Sequence, residues 1–209
     1  MYDYAVYAEN LRDYVAMMRN IFGQKMEFYC VQLTSHSAGW PYLADMRYAQ
    51  EEAGKLIDNY YLVCSMDYGS REGDIDGAHP AAKKHIGDRL AYLALSRIYN
   101  YKEFPMKDYG SPSLIKAVRK DDYVYLYFNN IGNGLETSGS SQLVRGFSDY
   151  NTGQALPARI QGKNCVSVYI GEAAERTIAY GNSPMADYTD CTLRNSNQIG
   201  AVAFKYTVK

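Results

Sequence analysis

The hydrophobic period of this 209-residue chain changes once, near residue 104, and that change restricts it to a mixed α/β architecture. Before Phe104-Pro105, helical and strand patterns alternate. Tyr4, Tyr7, Leu11, Tyr14, Met18 and Phe22 recur at three- and four-residue spacing, and Gly23 follows as a stop. Glu27 to Leu33 is an apolar run of strand length. Pro41 opens a second helix with Leu43, Met46, Ala49, Gln50 and Ala53 on one packed side. Tyr60 to Ser65 is the next strand. A polar loop from Asp67 to His79 leads to Pro80 and a third helix over about 81–101, with Ile86, Leu90, Leu93 and Ile98 inward. The order αβαβα predicts a parallel sheet with helices on its faces. Two parallel strands alone make a poor sheet, because such a sheet is buried on both faces. The sequence therefore predicts an exposed apolar sheet edge, covered by further strands, by a partner segment or by self-association.

After residue 104 the period becomes two. Tyr123–Phe128 and Cys165–Ile170 alternate as strands, the second entered through a turn at Gly162-Lys-Asn164. Thr177–Tyr180 and Ala201–Val208 are further strands, and runs such as Asn129-Asn-Ile-Gly-Asn-Gly134 punctuate the intervals. Short strands with turns of this kind predict a β-sandwich, so the chain reads as two units, 1–103 and 104–209. The whole chain carries 22 Tyr against 6 Phe and 1 Trp. Tyrosine suits half-wet sheet faces, either as plain strand positions or as a sugar-stacking surface.

Apolar residues at 47% and charged residues at 22% exclude bulk disorder. A net charge of −1 removes the bulk electrostatic case for a nucleic-acid or anionic-membrane partner. No stretch approaches the roughly 18 uninterrupted apolar residues of a membrane span. The first ten residues show no basic region followed by an apolar run, so no signal peptide is read there. Cys30, Cys64, Cys165 and Cys191 form no CxxC, which argues against a zinc site. Cys30 and Cys64 lie in apolar strand-like runs and are expected to be buried free thiols.

The best chemical constellation is Gly73-Asp-Ile-Asp-Gly-Ala-His79-Pro80. It follows a strand and precedes a helix, where ligand and catalytic groups of open α/β sheets collect. Asp76 stands three residues before His79, and Asp74 is the alternative. A carboxylate on one imidazole nitrogen fixes the tautomer and leaves the other nitrogen as a base. The bland reading of the same residues is a loop turn at a helix start. Ser35 and Ser37 flank His36 just past a strand, a rim position without a Gly-x-Ser-x-Gly elbow. His36 and Trp40 are rim candidates for touching substrate, Trp40 by stacking on a sugar ring or else by packing. His85 sits near Lys83 and Lys84 on what reads as a solvated helix face.

Several blocks together give a resemblance. They are Phe22-Gly-Gln24, Phe28-Tyr-Cys-Val-Gln-Leu33, Leu43-Ala-Asp-Met-Arg-Tyr-Ala-Gln50, Asp67, Gly73-Asp74, and His79-Pro80 through Lys84 and Ile86–Ala91 to Tyr99. Gly132–Leu135, Leu143–Phe147 and Ile178–Pro184 continue it. The chain resembles the C-terminal portion of carbohydrate O-acetylesterases of the SGNH hydrolase superfamily, especially the sialate O-acetylesterase family. The resemblance implies the C-terminal part of a flavodoxin-like α/β/α three-layer domain over 1–103, followed by a small β-sandwich over 104–209. It implies a Ser-His-Asp esterase acting on acetylated carbohydrate, with no metal and no cofactor. In that reading His79 is the catalytic histidine, and Asp76, or else Asp74, its partner. Many members of the family act outside the cytoplasm.

One departure is large. The family's Gly-Asp-Ser nucleophile block and its oxyanion-hole Gly and Asn have no counterpart here; Gly73-Asp74 and Gly87-Asp88 are each followed by another residue. Without them His79 has no hydroxyl to activate. The expectation is therefore a chain inactive by itself, completed by a missing N-terminal half or by self-association. The alternatives are a non-catalytic carbohydrate-binding or structural β-sandwich module, and a stand-alone hydrolase using Ser35 or Ser37.

Overall fold

A four-residue parallel pairing frames the first half. The computed structural model describes residues 4–36, 40–69, 79–80, 82–138, 141–172 and 175–208. Strand β1 (Phe28–Val31) pairs in parallel with β2 (Tyr60–Val63), Phe28 opposite Tyr60 and Val31 opposite Val63. The crossover between them is helix α2 (Leu43–Leu56). Helix α1 (Tyr7–Phe22) precedes β1, and α3 (Lys83–Arg97) follows β2. Helices contact both faces of the pair. Tyr14 of α1 meets Phe28 edge-on, and Phe28 stacks on Tyr60. On the other face Arg97 of α3 lies over the Tyr61 ring at 5.0 Å.

The buried faces of the helices differ from the predicted ones. In α1 the buried positions are Ala8 and Val15 with Leu11 half-buried, while Tyr14 and Phe22 are exposed. The reason is what α1 has to cover: Ala53 and Ile57 on the α2 side, with Phe28 and Tyr60 beneath. In α3 Leu93 is buried, but Ile98 lies past the helix end and is exposed. In α2 the burial continues around the helix to Arg47 and Tyr48, because the second half of the chain covers the side away from α1.

The second half is antiparallel. A short helix α4 (Met106–Tyr109) leads into β3 (Leu114–Lys120) and β4 (Tyr123–Phe128). Then come β5 (Leu135–Glu136), β6 (Leu143–Val144), β7 (Phe147–Asp149), β8 (Ala158–Gln161) and β9 (Cys165–Tyr169). Strands β10 (Arg176–Tyr180), β11 (Arg194–Asn195) and β12 (Phe204–Val208) complete it. They form a five-stranded sheet β3-β4-β9-β8-β6, a three-stranded sheet β12-β10-β7 and the pair β11-β5. The turn before β9 falls at Gly162, whose φ of +72° is open to glycine at little steric cost. Val124, Leu126, Val166 and Val168 face inward and are fully buried. Phe128 meets Phe204 of the smaller sheet edge-on at 5.8 Å. The same buried cluster extends to Ala44 and Tyr48 of α2 and to Cys64 and Met66 after β2.

All four cysteines are free; Cys64, Cys165 and Cys191 are buried and Cys30 is half-buried. Burial pushes the Cys64 and Cys191 thiols up to about 12, so both stay protonated and are poor nucleophiles. Among the described residues no helix is long and apolar enough to cross a membrane.

Candidate functional site

Both parallel strands deliver their C-terminal ends to one place. Beyond β1 the chain runs through Gln32 to His36, and beyond β2 through Cys64 to Tyr68. These segments are tied together. Thr34 Oγ1 donates to Ser65 O at 3.3 Å, and Ser35 Oγ lies 3.5 Å from Met66 O. His79 stands at the same end, just ahead of α3.

A cavity of about 220 Å³ opens there, lined by Thr34, Ser35, His36, Trp40 and His79 over Leu33 and Leu43. His79 is exposed and His36 half-buried. The His36 imidazole stacks on the Trp40 indole with ring centres 4.8 Å apart and planes 26° from parallel. Trp40, 61% exposed, also borders a second cavity of about 550 Å³, walled by Leu33, Pro41, Tyr42, Leu43 and Met46. The structure thus brings His79, His36 and Trp40 to one rim. Asp74, Asp76 and Ser37 lie outside the described residues, so the histidine–carboxylate pairing is not seen. Ser35 is fully buried and its hydroxyl points at a main-chain carbonyl, which removes it as an accessible nucleophile. No carboxylate is among the described residues lining the cavity. Among the described residues no group of three or more His, Cys, Asp or Glu side chains is placed to hold a metal ion. His85 is exposed on α3 and stacks on Tyr68 at 4.5 Å, away from this cavity.

The loops at the rim are held by buried polar side chains. Arg47 is fully buried, and carbonyls receive its guanidinium on both sides. Its Nε donates to Leu33 O at 2.8 Å and its Nη2 to Thr34 O at 2.9 Å and Pro184 O at 3.0 Å. Its Nη1 donates to Ser183 O at 2.8 Å and Gly181 O at 3.4 Å. Five N–H donors thus meet five carbonyls. They fix the 33–34 segment of the rim against the 181–184 loop of the second half, and His36 N adds a bond to Pro184 O at 3.0 Å. Gln32, also fully buried, exchanges two bonds with the Ala203 backbone at 2.9 and 2.7 Å. Gln50 Oε1 accepts from Leu33 N at 2.8 Å.

The β2 end is anchored in the same manner. Arg89 donates twice to Asp67, at 2.8 and 2.6 Å, and to Cys64 O at 2.7 Å. Asp67 Oδ2 also accepts from Gly200 N at 3.2 Å. Such a bidentate buried pair is rigid because each unmade bond would leave a desolvated charge. The positioning residues were the ones missed from sequence. Arg47, Asp67 and Arg89 stand in the resemblance blocks without a legible role, and Gln50 is expected only as a packed-side position of its helix. The available signal was a charged residue, Arg47, beside Met46 on the packed side of a helix.

No family model and no curated protein matches the chain. Among solved structures, it is similar to the crystal structure of a carbohydrate acetylesterase from Xanthomonas citri. The two are 22% identical with a TM-score of 0.77. The match covers 96% of this chain and 46% of the other, so this chain spans less than half that protein's length. The likeness establishes a shared mixed α/β fold.

Proposed function

We propose that this chain carries the histidine side of a serine-dependent carbohydrate acetylesterase site. The observation that carries the reading is the placement of His79 beside His36 and Trp40 at the C-terminal ends of the two parallel strands. The fold shared with a carbohydrate acetylesterase supports it. In the finer form of the proposal, residues 1–103 are the C-terminal half of an SGNH-type domain of the sialate O-acetylesterase kind, and 104–209 are its trailing β-sandwich.

Chemically, His79 would take the proton of a serine hydroxyl as that oxygen attacks the acetyl carbonyl carbon. The imidazolium would then protonate the departing sugar oxygen, leaving an acetyl-serine. Water, deprotonated by the same imidazole, would release acetate and restore the serine. Asp76, or else Asp74, would hold the imidazole orientation. Trp40, with His36 stacked on it, offers an exposed ring face to a sugar. The 209 residues contain no Gly-Asp-Ser block, so serine and oxyanion donors would come from another polypeptide segment.

The test is p-nitrophenyl acetate hydrolysis. The chain alone is expected to release nothing above buffer. An N-terminal segment bearing the Gly-Asp-Ser block is expected to produce turnover that His79→Ala abolishes. Turnover by the chain alone, lost in Ser37→Ala, would sink the proposal and show a self-contained site. Complemented turnover that survives His79→Ala would sink the role of His79.

A further inference from the structure

The outward face of the five-stranded sheet holds a second candidate site that shares no residue with the His79 cavity. One cross-strand row runs over all five strands. Val118 stands opposite Tyr125, Tyr125 opposite Ser167, Ser167 opposite Arg159, and Arg159 opposite Leu143. Directly opposed residues of antiparallel strands share a face, so these side chains form one surface. The inward residues between them, Val124, Val166 and Val168, are fully buried, which fixes this row as the outer one.

The surface is a trough of about 500 Å³, walled by Tyr123, Tyr125 and Tyr169 and floored by Arg159, Gln161 and Ser167. That is room for a short oligosaccharide. Tyr123 and Tyr169 are each 42% exposed, and they meet edge-to-face at 5.3 Å and 61°. Gln161 Nε2 donates to Ser167 Oγ at 3.3 Å, so the amide is oriented by a buried hydroxyl. Arg159 Nε donates to Gln142 Oε1 at 3.1 Å, which uses one of its five N–H donors. The charges on this face are of one sign. Lys116 and Lys120 are exposed on β3 opposite Tyr127 and Tyr123, and Arg159 is exposed on β8. No strand position of the face carries a carboxylate; the nearest in the chain are Asp121 and Asp122 in the β3–β4 turn and Glu172 after β9.

We propose that this trough binds a carboxylated glycan, a polymer of uronic-acid type. Tyrosine rings stack on the apolar faces of pyranoses, and the Arg159 fork matches a carboxylate in both geometry and charge. Gln161, exposed on β8 and held by Ser167, supplies the amide that sugar hydroxyls need. A single-stranded nucleic acid, which also combines aromatic stacking with basic contacts, is the competing occupant and is separated from the glycan by direct competition. The site does not depend on the esterase reading, because it is tested by binding alone.

The experiment is affinity electrophoresis of the 209-residue chain in native gels containing polygalacturonate, hydroxyethylcellulose or no polymer, with oligo-uridylate as a competitor. Retardation is expected in polygalacturonate only, weakening as salt is raised. Arg159→Gln and Tyr125→Ala are each expected to raise the Kd about tenfold, the scale of one charge-assisted bond or one stacked ring. Circular dichroism spectra of both variants should match the parent's at the assay temperature, since Arg159 is exposed and Tyr125 only half-buried. Absence of retardation, retardation untouched in the folded Arg159→Gln protein, or equal retardation in the neutral polymer would each overturn the proposal. So would oligo-uridylate binding more tightly than polygalacturonate through the same residues.

Discussion

The two halves of this molecule bury strands to very different depths. In the antiparallel half, Val124, Leu126, Val166 and Val168 have essentially no exposure, and the outer face is left to water. In the parallel half, every residue of β1 is half-buried, and only Val63 of β2 is fully inside. An antiparallel sheet with one wet face is a finished object, whereas a parallel pair needs cover on both faces and both edges. The first half has a small cluster of its own, Ala8, Val15, Ala53 and Ile57. Ala44, Tyr48, Cys64 and Met66 of the same half belong to the core of the second half. Buried polar bonds attach it there as well: Gln32 on Ala203, Arg47 on Ser183 and Pro184, and Asp67 on Gly200.

The sharpest way to break this comparison is Arg47→Ala. It takes the donor from Leu33 O, Thr34 O and Gly181 O, while Ser183 O and Pro184 O keep the Ala186 and His36 N–H groups, and should cost at least about 3 kcal/mol, given about 1–3 kcal/mol per orphaned group. Urea unfolding followed by Trp40 fluorescence should shift to lower midpoint, ahead of amide exchange in β4 and β9. If the two probes move together, the halves unfold as one unit and the distinction fails.

A smaller effect sharpens it. Val168→Ala in the closed sheet should destabilise by about 2 kcal/mol, because a methyl-lined void remains in a rigid core. Val31→Ala in the half-buried pair should cost under about 1 kcal/mol. Equal losses in thermal or urea denaturation would mean that the parallel pair is as well covered as the sheet.

The smallest expected effect is on pH. Burial in α2 pushes the Glu51 carboxyl up to about 7, with Lys55 at 3.6 Å offsetting part of the shift. The folded chain then holds a proton that the unfolded chain releases near the ordinary value of 4.5. Stability from this group is therefore present below 4.5 and lost as pH rises through 7. Glu51→Gln should flatten that slope and stabilise the protein at pH 8 by about 1–2 kcal/mol. A denaturation midpoint at pH 8 no higher than the parent's would show that Glu51 is ionised without penalty.

Strong periodicity was legible wherever one face of an element met one core. Tyr123–Phe128 and Cys165–Tyr169 alternate cleanly because their inward residues face a single apolar layer. Leu114–Lys120 was missed, since an edge strand bearing Lys116, Arg119 and Lys120 lacks an apolar row. The two-residue strands β5, β6 and β11 are too short to show a period at all. In α1 the aromatic spacing pointed to Tyr14 and Phe22, but the small residues Ala8 and Val15 fit against α2 and left the large rings outside.

By itself, the sequence determined the αβαβα order, the parallel crossover and the placing of His79 after a strand and before a helix. These follow from local periodicity and from the handed, short connections that such periods permit. Only the tertiary structure decided which residues share the rim. Ser35 and His79 stand 44 positions apart in the chain yet line one cavity, and Arg47 reaches loops 136 and 137 positions away at Ser183 and Pro184. Contacts of that range leave no period in a sequence. They are fixed by where two cores meet and by which buried donors must find carbonyls once water is gone.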